Sequence, residues 1–73
     1  MAYYSSGNVY RIYGPGGLIA GEAETEELAL RWCEILTGRE AEIWAALEEE
    51  DYTRAERIWA EVEQEARRPA AAV

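Results

Sequence analysis

The sequence predicts a small α+β domain: an N-terminal β-hairpin, with room for a short third strand, followed by two or three helices, the last two folded as an αα-hairpin. Three observations point there. Val9-Tyr10-Arg11-Ile12-Tyr13 is mostly β-branched or aromatic and runs straight into the turn-forming Gly14-Pro15-Gly16-Gly17. From Thr25 onward the apolar residues recur at helical rather than alternating spacing. The chain is 73 residues long, which accommodates one domain and not two. Residues 1–68 are expected to form that domain and residues 69–73 a flexible tail.

In chain order, Tyr3 and Tyr4 could add the third strand, with Ser6-Gly7-Asn8 turning between it and residues 9–13. Gly14-Pro15-Gly16-Gly17 fits a type II turn, since Pro sets φ at the second position and Gly accepts the positive φ of the third. Leu18-Ile19-Ala20-Gly21 then returns as the second hairpin strand. Thr25 is a good N-cap, and Glu26 and Glu27 suit the positive end of a helix dipole. Leu28, Ala29, Trp32, Cys33, Ile35 and Leu36 form one face of that helix, opposite Glu27, Arg31 and Glu34, with Leu30 at the edge. Gly38 is expected to end it as a left-handed residue.

Residues 39–68 admit one helix or two. A single helix would place Glu48 and Asp51 on the face of Trp44, Ile58 and Val62, and burying unpaired carboxylates is costly. A split at the acidic run is therefore favoured: residues 39–49 with Ile43, Trp44 and Leu47 inward, then residues 53–67 with Ala55, Ile58, Trp59, Val62 and Ala66 inward. Thr53 and Glu56 have the spacing of a capping box. Arg67 and Arg68 complement the last turn, and Pro69 blocks continuation.

Composition narrows the function. There are fifteen acids against seven bases, every base is Arg, and the net charge is −8. The absence of His removes the usual general base and imidazole ligand, and the single Cys33 rules out an intrachain disulfide, a CxxC pair or a multi-cysteine zinc site. A buried Cys33 is expected to be a small core residue. The glycine-rich turn lacks the Lys and Ser/Thr of a phosphate loop, and the acidic runs lack the spacing of a calcium-binding loop. No cofactor and no metal are expected, and the chain reads as not an enzyme. Direct nucleic-acid binding is disfavoured by the negative charge. No apolar run approaches a membrane span and the N-terminus lacks signal-peptide features, so a cytoplasmic location is expected.

The charge is segregated along the chain. Glu22, Glu24, Glu26 and Glu27 form one acidic run, and Glu48, Glu49, Glu50 and Asp51 another; together they equal the whole net charge of −8. The other seven acids are matched in number by the seven Arg, with Arg57–Glu61 and Glu63–Arg67 at i,i+4 spacing. These eight residues are the candidate partner-binding groups, with Leu30, Trp44 and Tyr52 as candidate interface residues.

Glu49-Glu50-Asp51-Tyr52-Thr53-Arg54-Ala55 resembles the connection inside a tetratricopeptide-type helix pair, where an acid and an aromatic precede a helix carrying a small Ala. The resemblance implies a helix–turn–helix and no activity. In size and charge the chain is also similar to small acidic phage-encoded inhibitors, among them anti-CRISPR proteins; that similarity rests on composition. It implies a non-catalytic protein whose carboxylates engage a basic protein surface, as a nucleic-acid mimic inhibiting a DNA- or RNA-binding complex. The alternatives are a small homo-oligomeric assembly protein, most simply a homodimer, and an antitoxin-like regulatory partner.

Overall fold

The computed structural model describes residues 2–68, and the expected tail lies outside the described residues. Strands β1 (Ala2–Ser6), β2 (Val9–Tyr13) and β3 (Ile19–Ala23) form an antiparallel sheet in that order, and helices α1 (Glu26–Gly38), α2 (Glu40–Glu48) and α3 (Tyr52–Arg67) follow. The third strand is therefore formed, with Tyr3 opposite Ile12 and Ser6 opposite Val9. Its two-residue turn has positive φ at Gly7 (65°), the first central position, where glycine carries no steric cost.

The second turn is built as its sequence predicts. Gly17 N–H donates to the Gly14 carbonyl at 3.2 Å, and Gly16 has φ 78° and ψ 4°, the values of the third position of a type II turn. The strand after it starts one residue later than expected and runs on to Ala23. Between the pairs Ile12–Gly21 and Tyr13–Ile19 the register slips, leaving Ala20 as the extra residue of a bulge.

One face of the sheet packs on α1. Ile12, Ala23, Ala29, Trp32, Leu36, Ile43, Ile58, Val62 and Ala66 make the core, with Tyr3, Tyr10 and Trp59 against it. A Cβ on Gly21 would sit 2.2 Å from Cζ2 of Trp32, so the indole fills the space that a side chain there would need.

Thr25 caps α1, its hydroxyl accepting from Leu28 N at 3.1 Å. Helix α1 ends at Gly38 as expected, but not through a left-handed residue. Gly38 stays helical, and the chain breaks at Arg39 (φ −116°, ψ 14°), the single residue between α1 and α2. Arg39 is anchored there by ion pairs to Glu42 at 2.8 Å and Glu61 at 2.6 Å.

Helix α2 is too short to bury a wide face. It buries Ile43 and Ala46, which leaves Trp44, one residue round the helix from Ile43, 42% exposed instead of inward. The split from α3 is real. Glu50 N–H donates to the Leu47 carbonyl at 3.0 Å and Asp51 N–H to the Ala46 carbonyl at 2.8 Å, the paired bonds of a Schellman ending. Its left-handed residue is Glu50, at φ 55°, and not a glycine. Asp51 rather than Thr53 caps α3, accepting from Arg54 N at 3.1 Å, because the turn sets its carboxylate beside the first helical amides.

Helix α3 buries Ala55, Ile58, Val62 and Ala66 as its periodicity predicts, and it runs antiparallel to α1. Arg31, from α1, donates to the carbonyls of Ala66 and Arg68 at 2.9 and 3.2 Å and so caps the α3 C-terminus.

Candidate functional site

The two acidic runs fold to different fates. In the first, Glu22 projects from β3 beside its cross-strand neighbour Arg11, with 3.8 Å between Oε2 and Nε. Glu24 is gripped by both terminal nitrogens of Arg67, at 2.8 and 3.1 Å. The same guanidinium bonds Glu63 at 3.0 Å and the Glu22 carbonyl at 3.0 Å, and lies 5.3 Å from the centre of the Trp32 ring. The Arg67 hydrogen bonds hold the Glu24 carboxyl below the usual carboxylate range. Glu24 thus ties the β3–α1 connection to the end of α3, while Glu22 makes only a loose cross-strand pair. Glu26 and Glu27 remain exposed on the first turn of α1 without an Arg partner among the described residues. Glu26 lies beside the Tyr3 phenol, whose pKa is raised first by burial and then by the Glu26 charge.

The second run stays open. Glu48, Glu49, Glu50 and Asp51 are all exposed where α2 meets α3. Glu49 reaches Arg54 only at 3.5 Å, and Asp51 caps α3. Glu48 and Glu50 have no Arg partner among the described residues. Trp44 lies one turn before Glu48 on the same helix face, and Tyr52, directly after Asp51, is 58% exposed. The turn thus presents four carboxylates next to an indole and a phenol. Leu30, 47% exposed, lies on α1.

The two runs do not make one surface. Arg67, at the end of α3, holds Glu24, while Asp51 precedes its start, so the sixteen residues of α3 separate them by about 24 Å. The expected Arg57–Glu61 pair is also replaced: Glu61 pairs with Arg39 across the helix interface. What sequence reasoning missed was long-range. Arg39 and Arg67 each bind one acid close in sequence, Glu42 and Glu63, and one far from it, Glu61 and Glu24, and no i,i+4 spacing signals the distant one. The left-handed Glu50 was equally hidden, because no glycine marks it.

Carboxylates in this setting can receive guanidinium or ammonium groups, and the faces of Trp44 and Tyr52 can carry a cation. Among the described residues no pocket is enclosed, no group of three or more His, Cys, Asp or Glu is placed to hold a metal, and no helix is long and apolar enough to cross a membrane. Cys33 is buried, and burial raises its thiol pKa, which disfavours the reactive thiolate. No family model, no curated protein and no solved structure matches the chain.

Proposed function

We propose that the chain is a non-catalytic binding protein that engages a basic protein surface through the α2–α3 turn. Glu48, Glu49 and Glu50 supply the attraction, and Trp44 and Tyr52 supply faces on which incoming guanidinium groups stack. The observation that carries this reading is the contrast between the two acidic runs. Among the described residues of the first run only Glu24 is gripped at short range by an Arg of the same chain, and Glu26 and Glu27 stand open without exposed aromatics beside them in the chain; in the turn only Glu49 reaches an Arg, at 3.5 Å, and the exposed carboxylates sit beside the exposed Trp44 and Tyr52. At physiological salt such a cluster attracts cations over about 8 Å. The partner class that suits it is a groove built for phosphates, so the protein acts as a nucleic-acid mimic that blocks a DNA- or RNA-binding complex.

The test compares two triple variants of equal charge. Glu48→Gln/Glu49→Gln/Glu50→Gln empties the turn. Glu27→Gln/Glu34→Gln/Glu65→Gln removes as much charge from exposed positions away from the turn. Binding of a hexa-arginine peptide is measured by calorimetry across a salt series. The turn variant is expected to lose most of the affinity and of its salt dependence, the other variant only a minor part. Equal losses would show that net charge, not the turn, does the binding.

A further inference from the structure

The two edges of the sheet are finished differently. At the β3 edge a bulge at Ala20 interrupts the register, Glu22 places a charge on the strand, and Arg67 occupies the Glu22 carbonyl at 3.0 Å. Each of these blocks the addition of another strand. The β1 edge has none of them. Ala2-Tyr3-Tyr4-Ser5-Ser6 carries no charged side chain and no Pro, and its five pairs with β2 run without a slip. Of the three strands and three α-helices described, it alone lacks Asp, Glu and Arg.

We propose that β1 pairs antiparallel with β1 of a second copy of this chain, joining the two sheets into one of six strands. What completes an open strand edge is another strand edge, and the copy brings the same uncharged one. A two-fold axis at Tyr4 uses the whole strand: Tyr4 faces its counterpart, Tyr3 faces Ser5, and Ala2 faces Ser6. Tyr4 is 63% exposed on the face away from the helices and is packed edge-to-face on Tyr13 with ring centres 5.5 Å apart. Pairing would continue that contact into a row of four rings across the joined sheet. Because each copy carries −8, screening by salt strengthens the pairing, the opposite of its effect on a basic partner.

Sedimentation equilibrium at low and high salt tests this on the intact chain, with Tyr4→Lys as the probe and Gln64→Lys, an equal charge change on the exposed face of α3, as the control. The expected result is a species of twice the 8.3 kDa chain that grows with protein concentration and with salt. Tyr4→Lys should weaken it about tenfold, through lost ring contact and facing ammonium groups, while Gln64→Lys leaves it intact. Hydrogen exchange of the unmodified protein at two concentrations reads the pairing without any variant, as slower exchange confined to β1 amides. A monomer at every concentration and salt, a dimer indifferent to Tyr4→Lys, or protection that appears away from β1 overturns the proposal.

Discussion

Replacing Glu50 by Gly should make the protein more stable, although it removes a charged residue from the surface. Glu50 holds φ 55°, where the Cβ of an L-residue crowds the following carbonyl. That conformation costs a residue with a side chain roughly 1–2 kcal/mol, and glycine is free of it. Glycine gives back part of the gain, roughly 0.5–1 kcal/mol, through its greater freedom in the unfolded chain. The net expectation is about 1 kcal/mol of stabilisation, or about 4–8 °C in Tm for a domain of this size. Removing a carboxylate next to Glu48, Glu49 and Asp51 also relieves repulsion, so Glu50→Ala is the necessary comparison. It removes the same charge but keeps the Cβ and the strain. Urea unfolding followed by tryptophan fluorescence should place Glu50→Gly above Glu50→Ala by about 1 kcal/mol, with the unmodified protein within about 0.5 kcal/mol of Ala. If Gly and Ala are equally stable, the turn does not need a left-handed residue and the Schellman ending assigned here is wrong. Both variants should bind a basic partner equally weakly, since both lack the carboxylate.

Other substitutions probe other joints. Gly21→Ala places a Cβ 2.2 Å from Trp32 Cζ2 and should cost about 2–3 kcal/mol by overpacking, read as a lower urea midpoint with an unchanged slope; a neutral result would mean the indole is not seated there. Arg67→Lys loses the paired grip on Glu24 and the bond to the Glu22 carbonyl, so it should lower Tm, whereas Arg57→Lys, with no ion-pair partner among the described residues, should change stability by less than about 0.5 kcal/mol. The Glu24 carboxyl is held below its unfolded value by Arg67, so its contribution is complete above the unfolded pKa of about 4.3 and is lost as pH falls through the folded one. The Tm gap between the unmodified protein and Glu24→Gln should therefore be largest near neutrality and close in acid; a gap that persists in acid contradicts the ion pair.

Local chemistry was readable and distant chemistry was not. The type II turn over Gly14–Gly17, the Thr25 cap and the buried stripe Ala55, Ile58, Val62 and Ala66 each depend on residues within a few positions, and each formed as expected. The split of residues 39–68 followed from the cost of burying Glu48 and Asp51. The misreadings have two causes. A nine-residue helix with Ile43 and Ala46 inward has no room for Trp44 on the same side, a fact set by tertiary packing and not by periodicity. Gly38 does end α1, yet the left-handed conformation expected of it falls instead at Glu50, where two backbone bonds to Ala46 and Leu47 enforce it. In the candidate site, the acidic runs were visible as counts of charge. That Arg67 would close on Glu24 from forty-three residues away, leaving the α2–α3 turn as the open cluster, required the antiparallel packing of α1 and α3.

Nuclear magnetic resonance titration of the labelled protein with hexa-arginine reads the binding surface residue by residue. The account predicts that the amides of Glu48, Glu49, Glu50, Asp51 and Tyr52 and the indole N–H of Trp44 move first and together, while the indoles of Trp32 and Trp59 stay in place. Shifts centred on Glu26 and Glu27, or spread evenly over every exposed acid, would contradict it.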